Sequence, residues 1–183
     1  MPFDQPFKIR VLRAITDTLK TITPANDYVF NLADYTAEDG VLQTRVFRGR
    51  AWFGDSDPLP MLSVLEPEEA GEVALPPRQS TVTEYRWPLI LQGFVADDKT
   101  NPTDPAYRLL ADVRRRLSVE RTRKAPGTNQ PDPFGLGIAG PNRIDGLSFN
   151  SGVVRPADDV SATAYFWLML ELQIVESAAD PYA

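Results

Sequence analysis

Hydrophobic and polar positions along this chain follow two periods, and the switches between them divide it into elements. Over residues 7–22, Ile9, Leu12, Ile15, Leu19 and Ile22 recur at spacings of three and four, the stripe of an amphipathic helix. Asp4 is placed to cap its start, Pro6 falls in the first turn, and Pro24 lies just beyond its end. Residues 28–32 read as a strand. Residues 41–48 read as another, with Val41, Gln43, Arg45 and Phe47 alternating against Leu42, Thr44, Val46 and Arg48. Asp39-Gly40 between them is a hairpin signal, although the connection from Ala33 is too long for a tight two-residue turn. Met61–Leu65 is a short apolar strand entered from the turn at residues 57–60. Residues 66–79, with four glutamates and three prolines, read as an exposed loop.

A longer strand follows at residues 83–95. Tyr85, Trp87, Leu89 and Leu91 share one face, and Ile90 and Phe94 contribute to the other, so its middle is expected to be covered on both sides. Pro88 removes a ladder donor, which places that stretch at an edge or beside a bulge. Asp104 then caps a helix with Pro105 at its first position; Ala106, Leu110, Val113 and Leu117 form the buried stripe. Arg114, Arg115 and Arg116 sit towards its C-terminal end, where the helix dipole favours positive charge. Residues 144–154 carry a weak strand or hairpin-arm signal.

The strongest strand pattern is residues 160–176. Ala164, Phe166, Leu168, Leu170, Leu172 and Ile174 fall on one face, and Tyr165, Trp167, Met169, Glu171 and Gln173 on the other. About 15 strand residues exceed the usual ~5–6, so this strand either spans a large sheet or projects an end to pair with another molecule. No internal repeat is evident. The pattern predicts one domain over residues 1–183, of α/β (α+β) class: a mixed, mostly antiparallel sheet packed against two main helices.

Composition narrows the chemistry. The 183 residues are 43% hydrophobic, enough for one sizeable core. The chain has no His and no Cys, which excludes imidazole bases, nucleophilic thiols, disulfides and the usual zinc sites. A formal charge of −6 argues against general affinity for phosphate backbones or anionic membranes. No apolar run approaches the ~20 residues that cross a bilayer, and the first residues lack the basic and apolar regions of a signal peptide, so synthesis and retention in the cytosol are expected.

Four constellations and one loop could carry function. Gly135-Leu-Gly-Ile-Ala-Gly140, with Asp158 and Asp159 downstream, literally matches a dinucleotide fingerprint. That motif works only between a strand and a helix N-terminus, and prolines on both sides here favour a glycine loop. Asp55/Asp57 and Asp97/Asp98 could hold a cation or form a carboxylate dyad, but acids beside Pro and Gly are ordinarily turn residues. Arg108, Arg114, Arg115, Arg116, Arg121, Arg123 and Lys124 are seven positive charges against Asp112 and Glu120, a surplus of five. This cluster is a solvated helix end, a phosphate contact, or one half of an inter-subunit bridge to the acidic loop containing Glu68 and Glu69; Arg115 and Arg116 are the candidate interface residues on its side. The aromatics Trp52, Phe53, Trp87, Phe166 and Trp167 are core residues by default, with one or two available as interface anchors. Finally, residues 122–141 lose periodicity and fill with Pro, Gly, Asn and Asp. They read as a flexible loop, mobile in the free chain, in which Phe134, Leu136 and Ile138 are candidate anchors for a neighbouring subunit. No cofactor and no catalytic residue is assigned.

The segments Val46-Phe-Arg-Gly-Arg50, Asp57-Pro-Leu-Pro-Met-Leu-Ser-Val-Leu-Glu66, Trp87-Pro-Leu-Ile-Leu-Gln-Gly-Phe-Val95 and Asn101-Pro-Thr-Asp-Pro-Ala-Tyr107 together resemble the tail terminator (minor tail, or tail-completion) proteins of long non-contractile-tailed bacteriophages. The resemblance covers residues 7–118 and, more weakly, 144–176, and rests on packing and turn motifs. It implies a homohexameric ring that caps the tail tube, stops its elongation and faces the head-side connector. The implied partners are the chain itself, the tail tube protein, the connector protein, and DNA passing through the lumen without specific binding. The implied place is the head-proximal end of the virion tail, after assembly in the host cytoplasm. A compact chain of this length has a radius of gyration near ~16 Å, so six in a ring leave a central hole with a radius about that of one subunit. Another head-tail joining or tail tube protein is the nearest alternative, and a carboxylate-dependent enzyme the alternative from a different class.

Overall fold

The computed structural model describes residues 5–51, 53–54, 57–68, 80–138, 140–159 and 161–183. Two helices, α1 (Phe7–Lys20) and α2 (Asp104–Thr122), accompany eight strands: β1 (Tyr35–Thr36), β2 (Leu42–Gln43), β3 (Val46–Arg48), β4 (Met61–Leu65), β5 (Val82–Phe94), β6 (Arg143–Phe149), β7 (Val153–Arg155) and β8 (Tyr165–Ser177). β1 and β2 form a separate two-stranded ribbon. The main sheet runs β3-β4-β5-β8-β6, with β7 also on β8. Only β3–β4 is parallel. The chain is therefore a single-domain α+β fold with two helices on a mixed, mostly antiparallel sheet.

The long closing strand is absorbed by the sheet. β5 pairs with β8 along its whole length, from Val82 opposite Ser177 to Phe94 opposite Tyr165. β6 and β7 occupy much of the other side of β8, separated by an irregularity at residues 150–152. There Asn150 Oδ1 accepts the amides of Gly152 and Met169, so one side chain bridges the break. No end of β8 projects, so the large-sheet alternative is the one realised. Pro88 has its expected setting: β4 reaches only as far as Leu65 opposite Ile90, and at Pro88 the sole strand partner among the described residues is β8. Its missing N–H thus takes no ladder bond away.

Strand alternation sorts the sheet into two faces. Tyr85, Trp87, Leu89 and Leu91 of β5 lie opposite Ile174, Leu172, Leu170 and Leu168 of β8 on the face beneath the helices. Phe7, Val11, Ile15 and Leu19 from α1, and Ala106, Leu109, Leu110, Val113 and Leu117 from α2, complete this core. Gly93 has a steric role: a Cβ there would lie 2.2 Å from Phe166 Cε1, so the missing side chain makes room for that ring.

The expected α1 stripe holds at Ile15, Leu19 and Ile22, but the first turns bury Phe7 and Val11, leaving Ile9 exposed. Pro6 takes the cap position without a side-chain cap, and Asp4 lies outside the described residues. In α2 the cap is Thr103, one residue earlier than expected, and Asp104 opens the first turn, where its charge suits the dipole.

Two strand assignments are corrected. Residues 28–32 form no strand: the amides of Val29 and Phe30 both donate to Asp112 Oδ2, at 2.9 and 3.0 Å, and Leu32 N–H reaches the Ile22 carbonyl. A buried carboxylate on α2 satisfies donors that a neighbouring strand would otherwise take. Residues 41–48 break at Thr44. Leu42–Gln43 pairs antiparallel with β1, and Val46–Arg48 pairs parallel with β4. The Asp39-Gly40 signal does make the ribbon turn, with Gly40 at φ 81° and Asp39 Oδ1 accepting the Val41 amide. Between ribbon and sheet, Arg45 donates to the carbonyls of Leu59 and Pro60 and lies 4.4 Å over the Tyr35 ring.

Candidate interaction surface

Among the described residues no helix covers one face of the sheet, and this face carries a row of aromatic rings. Alternation puts Phe47 of β3, Phe94 of β5, and Tyr165 and Trp167 of β8 on this side, and Phe53 from the β3–β4 connection leans onto it. Successive centroids are 6.0 Å (Phe47–Phe53), 4.8 Å (Phe53–Phe94), 6.0 Å (Phe94–Tyr165) and 5.8 Å (Tyr165–Trp167). These are offset and edge geometries that aromatic quadrupoles favour. Cations cap both ends: Arg50 sits 4.5 and 5.1 Å over Phe47 and Phe53, and Arg155 sits 5.8 Å over Trp167. Met61 and Leu59 fill in beneath.

Beside this row lies a cleft of about 560 Å³ whose floor includes Phe53, Leu59, Met61 and Phe94, and whose rim includes Asp57, Asp159, Ser161 and Thr163. Its Asp57 has structural work. Asp57 accepts Arg50 at 2.6 and 2.7 Å and the Gly54 amide at 2.7 Å. Asp158, on the same connection as Asp159, accepts the Tyr165 hydroxyl at 2.9 Å. Burial, then that carboxylate, pushes the Tyr165 phenol above its ordinary pKa, so it stays a neutral donor. Stacking and cation–π contact are what this face offers, rather than proton transfer.

Of the other paired acids, Asp98 is a turn residue, as the sequence suggested, and Asp97 is not. Asp98 Oδ1 accepts the amides of Asn101 and Thr100, which hold its carboxyl below the ordinary range. Asp97 accepts the Ala164 amide, tying β5 to the start of β8. Asp55 lies outside the described residues. Among those residues no group of three or more acids converges on a cation position. The glycine motif leads into β6, with no helix after it to receive a pyrophosphate.

The segment after α2 corrects the reading of residues 122–141 as a flexible loop with outward anchors. Glu120, 2% exposed, accepts the Phe134 amide at 2.8 Å and pairs with Arg116 at 2.9 Å and Arg123 at 3.4 Å. Asp132, also buried, accepts the Gly137 amide at 2.8 Å and lies 3.8 Å from the Arg123 guanidinium. Backbone bonds from Ala125 to Gln130 and from Asp132 to Arg123 close the chain on itself. The Phe134 side chain is buried in the subunit's own core, and Leu136 packs partly buried against it. Only Ile138, 53% exposed, remains outward. The loop's ordering is offset by two buried carboxylates, which a count of Pro and Gly does not register.

The candidate arginines also have partners within the subunit. Arg115 donates to the Asp27 carbonyl at 2.6 Å and stacks 4.8 Å over Tyr28, and Arg116 joins Thr21 to Glu120. Both tie α2 to the α1 side of the fold. Glu68 is exposed, and Glu69 lies outside the described residues. Of the aromatics singled out, Trp87 and Phe166 are buried under the helices, Phe53 and Trp167 belong to the open row, and Trp52 lies outside the described residues. The membership of Phe94 and Tyr165 follows from register, which the alternation of single strands does not reveal. No helix among the described residues is long and apolar enough to cross a membrane.

No protein-family model matches this chain, and no curated protein matches it.

Proposed function

We propose that this chain is a structural subunit of a bacteriophage tail, a tail-terminator-like protein that closes into a ring, caps the tube and joins it to the head-side connector. The observation that carries this reading is the helix-free sheet face. A row of aromatics with guanidinium groups at both ends is the composition of protein contact surfaces, where Trp, Tyr, Phe and Arg concentrate. The motif resemblance over residues 7–118 supplies the tail setting. Its strand-and-helix segments coincide with β4, β5 and the first turn of α2. The acidic balance suits a conduit, since DNA must slide through a lumen that does not grip phosphates. The buried and hydrogen-bonded acids serve the fold, and the reading assigns them no reaction.

Negative-stain imaging of the purified protein, with light scattering over a concentration series, tests the proposal. Closed rings, and a mass that settles at a fixed multiple of the subunit, are expected. A strict monomer at high concentration, with no ring at the end of assembled tails, would overturn it.

A further inference from the structure

The β1–β2 ribbon is poorly supported for what it exposes. An isolated two-stranded hairpin is marginally stable in water, yet this one turns outward Leu42, 70% exposed, and Val41, with Glu38 and Asp39 at its tip. The outer face of α2 has the opposite charge and a similar apolar share. Tyr107, 58% exposed, lies beside Arg108 and within about two turns of Arg114. Neither guanidinium has an ion pair within 4 Å or a ring contact among the described residues, and Arg108 adds to the Asn101 and Thr100 amides in holding the nearby Asp98 carboxyl low. Arg115 and Arg116 are held within the subunit, which leaves Arg108 and Arg114 as the available cations of this helix face.

We propose that the β1–β2 ribbon of one copy docks on the outer face of α2 of the next, Glu38 and Asp39 against Arg108 and Arg114, with Val41 and Leu42 covering Tyr107. This rests on the ring reading and names its subunit contact. The two surfaces are different, so the contact is heterologous, and repetition leads to a closed ring when the rotation closes. Opposite charge selects the register, and the three apolar side chains supply area that the isolated subunit leaves in water.

Charge reversal with mixing tests the contact. The ribbon variant Glu38→Lys/Asp39→Asn, whose amide oxygen still accepts the Val41 amide in the turn, and the helix variant Arg108→Glu/Arg114→Glu alter exposed side chains, and circular dichroism checks that each folds. Each variant alone is expected to associate about a hundredfold more weakly than wild type, because every contact sets like charges together. Mixed in equal amounts they are expected to assemble again, since each carries one reversed and one native surface, and this rescue should fade as salt rises. Wild-type assembly with both variants assembling equally well would overturn the ribbon contact and leave the ring reading standing. Failure of the mixture to assemble, with both variants folded and separately monomeric, would also overturn it. A wild-type protein that never associates would overturn the ring reading itself.

Discussion

Phe166 and Trp167 are consecutive in β8, and they show what the two sides of the sheet are for. Phe166 lies over Gly93 beneath the helices, fully buried among aliphatic side chains. Trp167 turns to the helix-free side, half-buried between Tyr165 and the Arg155 guanidinium. On the first side stability comes from close packing, and geometry is dictated by volume. On the second, rings cover one another and cations cap the row, which lowers exposure without a second layer. Phe94 and Tyr165 are buried on this side too, so what it leaves available to another chain is the part-exposed Phe47, Phe53 and Trp167.

The comparison is sharpest in mutational cost. Phe166→Ala should destabilise by about 3–5 kcal/mol, because the cavity lies in a rigid core where Gly93 has no side chain to fill it; urea unfolding measures this. Glu120→Ala should cost about 3 kcal/mol, since it leaves the Phe134 amide and two guanidinium groups without their buried acceptor. The same variant should speed proteolysis after Arg123 and Lys124, and unchanged cleavage would mean the segment is held by its backbone bonds alone. Trp167→Ala should cost about 1–2 kcal/mol in the isolated subunit. If its cost equals that of Phe166→Ala, the two sides are not different in kind. The smallest effect belongs to Asp98, an exposed turn acid. Its carboxyl is held low by the amides of Asn101 and Thr100, so its stabilisation is present above the ordinary aspartate range and is lost as pH falls through the lowered folded value. An NMR titration placing that carboxyl at or above the ordinary value would contradict the turn.

Patterning alone placed both helices, β4, β5 and β8, and assigned nearly every inward residue of the two long strands, because period-two and period-3.6 repetition are local and need no partner. It also identified Asp98 as a turn acid, since that hydrogen-bonding is settled within three residues. The failures share one cause. Residues 28–32 looked like a strand and residues 122–141 like a loose loop until Asp112 and Glu120 took up their amides. A charged residue on a helix reads as solvent-facing from sequence, and only the packing of distant segments turns it into a buried acceptor. Arg116, expected as an interface residue, pairs by the same route with Glu120 inside the subunit. The aromatic row is likewise a product of register: Phe47, Phe94 and Tyr165 come from three strands far apart in the chain. Local periodicity thus determined the elements and their faces. Which faces are covered, which charges are buried and which rings touch was decided by long-range packing, where a donor's partner is set by proximity in space and not by spacing along the chain.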